Sequence, residues 1–582
     1  MKKVLKELLI MLVFLLPVVI AEDEPARLIL LAVSESEDGY VGNTAELFLE
    51  IGPGTGHVYV DTFPLTKVDT QMSIRFAKEI ACDFLEKDCT NKDFFYTVRS
   101  QSAIVGGPSA GAASAILTIA ALEGIKLNQS VSVTGTINSG GLVGPVGGLR
   151  AKIDAASDAG LTKVLIPKGE KIVFDGCKDC GDMVNITRLD IYDYAEQKGI
   201  AIAEVSTIDD VFFEFTGLHA RSINKSIEIS EDYTKTMQDI AQELCRRTKD
   251  IEAKVRPSES AVYNEAKNLS MKGVEAYRAG AFYSAASYCF GANIKYNFLY
   301  LEAKHMPNDE IKKHLLNLQK QVTNFSELVE NRELLTMTDL QTYMIVKERL
   351  IDAEDSLKDG FSNLEMNNRK EAIYDLAYAH ERFQSALSWS SFFKNTGTTF
   401  VFDTESIKEG CIQKISEAEE RYQYAQLFFP KPRNQTKTEI MRAYEDLAGG
   451  NYALCLFKAS KAKAESDLLL SVITIEEDPK AYLNQKLTQA ERVIAIQQEK
   501  NAFPILGYSY YEYSKSLSED DISSSLIYAE YALELSNLDI YFRRSEHKIN
   551  SLIYNNLESI KLGVMFSLGV CFGVLLSMLR KN

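Results

Sequence analysis

A chain of 582 residues, 46% hydrophobic and 25% charged, has the make-up of a folded protein and is too long for one ordinary core, so several domains are expected. Its net charge of −17 excludes nucleic acid as a partner, because phosphate binding needs clustered cation. The surplus acid reads as a solvated surface.

Residues 1–21 read as a secretory signal peptide or an N-terminal anchor. Lys2, Lys3 and Lys6 are a basic start, Leu8 to Ile20 is apolar, and Val19 and Ala21 are the small side chains that a signal peptidase accepts. Residues 25–216 read as α+β. Arg27 to Val33 predicts a strand, and Glu46 to Ile51 with His57 to Asp61 predicts a hairpin around Gly52-Pro-Gly-Thr-Gly56. A helix is expected over Asp69 to Leu85, then a strand over Phe94 to Val98 that leads into Gly106-Gly-Pro-Ser-Ala-Gly111. Ala112 to Leu122 is small, apolar and free of breakers, which suits a tightly packed helix. Val131 to Ile137 predicts a strand, Ala151 to Ala159 a helix, Lys163 to Ile166 a strand and Thr207 to Phe215 a closing helix.

After a linker at 217–227, residues 228–558 read as an all-α domain. Four segments pair a small or polar turn with Ala, Tyr or Phe at helical spacing, beginning at Gly280, Asn368, Gly450 and Asp521. Their irregular spacing points to degenerate helical hairpins. Tetratricopeptide-like pairs would look similar, but the strict period of that family is absent. Tyr374, Tyr378, Tyr528 and Tyr531 on these helices are expected in the core. Leu562 to Leu579 is an uncharged apolar run long enough for a transmembrane helix. Arg580 and Lys581 follow it, so residues 580–582 are expected in the cytoplasm and the body on the extracytoplasmic side of the cell membrane. Cysteine usage fits that placement: Cys82 with Cys89, and Cys177 with Cys180, are candidates for local disulfides, and a lone CxxC is a weak zinc signal.

The chemistry centres on Ser109. A serine on a glycine-rich turn before an apolar helix is exposed and close to backbone N–H groups, here those of Gly107, Ser109 and Ala110, that can hold an oxyanion. A small-residue turn that merely caps a helix would look the same. Histidine, the usual base, is scarce, with His57 alone inside the α+β region before His219, so attention moves to lysine. Lys152 lies in the apolar, glycine-rich stretch Gly144-Pro-Val-Gly-Gly-Leu-Arg-Ala-Lys152, where burial can lower its pKa toward neutrality.

Gly107-Pro-Ser-Ala-Gly111, Thr134-Gly-Thr-Ile137, Gly144 to Lys152 and Ala159-Gly-Leu-Thr-Lys-Val-Leu-Ile-Pro167 together resemble the proteolytic domain of Lon proteases, in order and in spacing. The resemblance covers about residues 25–216. It implies a Lon-type fold, Ser109 as nucleophile, Lys152 as base, Arg150 at the first basic position of the lysine motif, and Thr134 orienting the lysine. It also implies peptide-bond hydrolysis of polypeptide substrates with no cofactor or metal, and, by resemblance only, a hexameric ring. Three departures stand out: Gly106 where many relatives carry an acid, Thr136 where a glutamate is common, and no GxxxxGK[ST] loop for an ATPase. An ATP-independent peptidase acting on unfolded or flexible chains is the expectation. The competing reading is a non-catalytic or self-processing domain that serves a surface protein-binding scaffold.

Overall fold

The computed structural model describes residues 25–545, apart from 37–38, 67, 106, 176–186, 220–226, 228, 395–396, 429–433 and 476–477. The expected signal peptide and the apolar run at 562–579 lie outside the described residues. Among the described residues no helix is long and apolar enough to cross a membrane. The chain divides into two compact units, Met1–Ser222 and Ile223–Asn582.

The first unit opens with a four-stranded sheet. β1 (Ala26–Ser36) and β2 (Gly39–Pro53) form its hairpin, and β3 (Val58–Thr66), α1 (Val68–Phe84) and β4 (Lys92–Val105) follow. The strand order is β1-β2-β4-β3, so β2 and β3 do not pair and the hairpin expected around Gly52–Gly56 is not formed. β4 enters between them, antiparallel to β2 and parallel to β3. Glycine-rich backbone turns the chain onto the start of β4 instead, where Asp93 Oδ1 accepts from Thr55 N and His57 N at 2.8 and 3.0 Å. Alternation sets the faces of this sheet: Leu47, Leu49, Phe94, Tyr96 and Val98 point inward and are buried, whereas Tyr59 and Phe95 stack on the outside.

After β4 a short turn of 3₁₀ helix at Pro108–Ala110 runs into α2 (Gly111–Glu123). Ten consecutive residues, Gly111 to Ala120, are buried, as expected of a helix apolar on every side. β5 (Val131–Val133) ends at Thr134-Gly135, and β6 (Thr136–Asn138) pairs instead with β7 (Leu142–Gly144). The single strand expected over Val131 to Ile137 is therefore two, broken where Gly135 N donates to the Ser109 carbonyl. α3 (Leu149–Asp158) leads to β8 (Lys163–Pro167), β9 (Ile172–Asp175), β10 (Thr187–Asp190), α4 (Ile191–Gln197), β11 (Ala201–Val205) and α5 (Ile208–Thr216). β11, β8 and β5 form a parallel sheet in that order. Leu149, Ile153 and Ala156 of α3 bury one face in a cluster with Val164, Ile166, Ile191 and Ile200, each large aliphatic contributing about 2 kcal/mol of transfer free energy.

The second unit is built of helices among its described residues, apart from isolated β-bridges, and its α-helices fall in two runs of six. The first run is α6 (Glu231–Glu252), α7 (Ala261–Arg278), α8 (Phe282–Ala303), α9 (Asn308–Glu330), α10 (Met337–Glu365) and α11 (Arg369–Trp389). The second is α12 (Thr404–Phe428), α13 (Asn434–Ala448), α14 (Tyr452–Ile475), α15 (Pro479–Glu499), α16 (Ile505–Leu517) and α17 (Ile522–Ser536). Both follow one plan. A disulfide joins the first and third helices of each run, Cys245–Cys289 and Cys411–Cys455, with the same separation of 44 residues. A buried glutamate on the sixth helix takes a cation from the first helix and a donor from the third: Glu381 with Arg247 and Asn297, and Glu534 with Lys414 and Lys463. The four turn segments noted in the sequence open α8, α11, α14 and α17. Tyr531 is buried among them, whereas Tyr374 is 43% exposed, so that tyrosine is a surface residue.

Candidate active site

The serine turn is fixed by its carbonyls. Thr70 Oγ1, on α1, donates to the Gly107 carbonyl at 3.3 Å, and Ser73 Oγ, one turn further along, donates to the Pro108 carbonyl at 3.1 Å. The Ser109 carbonyl accepts from Gly135 N at 3.0 Å. In a planar trans peptide the carbonyl of one residue and the N–H of the next point opposite ways. With the Pro108 carbonyl tied back to α1, the Ser109 N–H is turned the other way. Gly107 has φ +103°, a backbone shape that suits glycine, and a Cβ there would meet nothing within 4 Å, so this edge of the turn borders open space. Gly111 is needed for a different reason: a Cβ would come within 2.8 Å of Ile137 N. Ala110 is the N-cap of α2, which places Ser109 at the positive end of that helix. The Ser109 side chain is half-buried and makes no hydrogen bond among the described residues.

Lys152 lies in the first turn of α3, its backbone N bonded to the carbonyl of Gly148. It is 2% exposed. Nζ donates to Thr134 Oγ1 at 2.9 Å, its only side-chain hydrogen bond among the described residues. Thr134 is itself fully buried, immediately after β5, with its N–H on the Leu165 carbonyl at 3.0 Å. Burial pushes the Lys152 ammonium down from its ordinary 10.5 to about 8, against an opposing pull from Glu170. Lys152 is thus joined to Thr134 by its side chain, and Ser109 to the adjacent Gly135 by its backbone. All three stand where the Thr134-Gly135 break meets α2 and α3, beyond the carboxyl end of parallel strand β5, a usual place for a site in such sheets.

Glu170 was not singled out by the sequence. It sits in the turn after β8, where Oε1 accepts from Val146 N at 2.7 Å and Oε2 is buried with no hydrogen-bond partner. Burial pushes this carboxyl up to about 8, Lys152 pulls it down, and Glu204 pushes it further up. The buried Oγ1 of Thr136 also has no hydrogen-bond partner. The signal in the sequence was slight: one acid in Lys168-Gly-Glu-Lys171 looks like a solvated loop.

Cys82 and Cys89 are joined by a disulfide at the end of α1. Cys177 and Cys180 lie outside the described residues. Among the described residues no group of His, Cys, Asp and Glu is arranged to hold a metal.

The stretch that carries the serine turn, Thr134 and the buried lysine is the one a known family matches: residues 72–190 match the Lon protease (S16) C-terminal proteolytic domain. Among curated relatives, the archaeal Lon protease of Archaeoglobus fulgidus is 44% identical over 82 residues, 14% of this chain and 13% of that protein. The archaeal Lon protease of Methanocaldococcus jannaschii is 25% identical over 203 residues, 33% of this chain and 28% of the relative. The Lon protease of Clostridium beijerinckii is 33% identical over 143 residues, 24% of this chain and 16% of the relative. The chain thus spans little more than a quarter of these relatives' length at most. A Lon-type proteolytic domain goes with serine peptidase chemistry in general.

Proposed function

We propose that the chain is an ATP-independent serine endopeptidase, anchored in the cell membrane by residues 562–579, that cuts unfolded or flexible polypeptides on the extracytoplasmic side. The observation that carries this reading is the buried Lys152 amine, bonded to Thr134 and held near pKa 8, beside the backbone that carries Ser109. Neutral Lys152 takes the proton of the Ser109 hydroxyl, and the oxygen attacks the peptide carbonyl. Backbone N–H groups of the Gly107–Ala110 turn, that of Ser109 foremost, stabilise the oxyanion. Lys152 returns the proton to the leaving amine, and water then cleaves the acyl-enzyme in the same way.

Three disulfides among the described residues favour an oxidising compartment, where ATP is scarce. No GxxxxGK[ST] loop is present in the 582 residues to bind it. The test is degradation of a permanently unfolded polypeptide by the full-length chain without nucleotide. Wild type should degrade it, and Ser109→Ala and Lys152→Met should both be inert while remaining folded. A folded wild type that cuts nothing, or an active Lys152→Met, would favour the scaffold reading of the helical unit.

A further inference from the structure

The first helical run holds a cleft of about 580 Å³, a size usual for small-ligand sites. Four helices wall it. On α6 it is lined by Glu243, Arg247, Asp250 and Lys254, whose spacing of three and four residues sets them in one stripe along about three turns. α9 contributes His314, Asn317 and Gln321, and α11 contributes His380, Gln384 and Ser388. The buried side chains Leu244, Ile251, Leu318 and Leu376 add apolar surface. The six-helix plan does not by itself require such a space. Leu301, which lines the cleft, stands twelve residues after Cys289; twelve residues after Cys455 the second run has Asp467, buried in an ion pair with Arg421 at 2.9 Å. A further buried pair, Lys486 with Glu530 at 2.6 Å, joins the fourth and sixth helices of the second run, whereas the fourth and sixth helices of the first put His314 and His380 on the cleft.

Most of the charge in the cleft is already matched. Arg247 gives Nε and Nη2 to the two oxygens of Glu381, and Arg246 pairs with Asp250 at 2.9 Å. Two charges are left, one at each end of the α6 stripe. Lys254 has no ion pair among the described residues and lies over the Tyr300 ring at 5.9 Å. Glu243 accepts one hydroxyl, that of Ser388 at 3.2 Å, and has no ion pair among the described residues. The two residues are eleven apart, about 16 Å along the helix axis at about 1.5 Å per residue. In the same cleft the side-chain amides of Asn317, Gln321 and Gln384 make no hydrogen bond among the described residues, and each can both donate and accept.

We propose that this cleft binds a short extended peptide with free ends, about five residues long, its carboxylate at Lys254 and its ammonium at Glu243. Five residues of extended chain span about 16 Å at about 3.3 Å each, which matches the axial separation of the two residues. A peptide also offers an N–H and a C=O at each residue, and the free amides can take up both. A ligand with negative charge alone would leave Glu243 unmatched. The site does not rest on the Ser109–Lys152 reading: its residues all belong to the second unit, and it holds peptide whether or not the first unit cuts.

The test is equilibrium retention of random peptide libraries with free ends, from dipeptides to decapeptides, by the full-length Ser109→Ala chain, chosen so that the probe stays whole. At about 100 µM peptide, retention should peak near five residues. Pentapeptides acetylated and amidated at their ends should bind about tenfold more weakly. Glu243→Lys and Lys254→Glu, both at exposed positions, should each weaken pentapeptide binding about tenfold with the melting temperature little changed. Gln321→Leu, which alters no charge, should cost about fivefold, the worth of one hydrogen bond. No retention at any length, a preference that grows steadily with length, or equal binding by capped peptides or by the two charge variants overturns the proposal. If wild type cuts nothing but the chain retains pentapeptides in this pattern, the site stands and the peptidase reading fails.

Discussion

Replacing Lys152 by methionine should stabilise the first unit at neutral pH and lose that advantage as the solution becomes alkaline. Lys152 is 2% exposed, and the chain must carry its ammonium in that place whenever the pH is below about 8. The fall from 10.5 to about 8, at about 1.4 kcal/mol for each unit of pKa, corresponds to a burial cost of about 3 kcal/mol. Methionine fills similar space without charge. It gives up the hydrogen bond to Thr134, worth about 1 kcal/mol. Glu170 loses an opposite charge, but below about pH 8 its carboxyl is already held neutral by burial, so little is lost there. A net gain of about 2 kcal/mol remains, or a melting temperature higher by roughly 4 to 8 °C for a unit of this size.

The sign follows from proton counts. Between about 8 and 10.5 the unfolded chain holds the lysine proton and the folded chain has released it, so wild-type stability rises with pH across that window. The methionine advantage should therefore shrink above about pH 8 and vanish by about 10.5. Scanning calorimetry of the full-length chain near pH 6.5 and near pH 10 would measure it. A variant less stable than wild type near pH 6.5, or a difference that ignores pH, would refute the claim that Lys152 is a buried base held at a cost.

Two further outcomes follow from single contacts. Ser73→Ala removes the hydroxyl that ties the Pro108 carbonyl to α1 and should lower kcat/KM on peptide substrates about fivefold, the worth of one hydrogen bond, with the melting temperature down by roughly 2 to 4 °C; an unchanged rate would mean the serine turn is held in some other way. Glu534→Ala leaves the buried Lys414 and Lys463 with Glu417 but one carboxylate short, and should destabilise the second unit by about 3 to 5 kcal/mol in urea unfolding; a loss under about 1 kcal/mol would show that Glu417 and the surroundings suffice to hold both ammoniums.

The serine turn, the Thr-Gly pair and the lysine stretch were legible because each is a short run whose chemistry is local. Four helices of the first unit and the helical character of residues 228–558 were legible, but the helix Ile191–Gln197 was not. What the sequence could not give was the choice of partner. Glu46 to Ile51 and His57 to Asp61 look like the arms of a hairpin, yet β4, arriving after a whole helix, pairs with both β2 and β3. Val131 to Ile137 reads as one strand because nothing local shows that Gly135 will bond to the carbonyl of Ser109. Glu170 was hidden for the same reason, since the N–H it accepts from is that of Val146, far from it in sequence. In the helical unit the four turn segments were visible, but their grouping into two like halves depends on disulfides and buried glutamates that join distant helices.

The most direct test of the account is mass mapping of the full-length chain after treatment with a fluorophosphonate or a peptide boronate. One adduct is expected, on Ser109, that forms faster as Lys152 loses its proton and is absent from Lys152→Met. A folded wild type without an adduct at any pH, or an adduct on Ser109 that forms equally well in Lys152→Met, would contradict it.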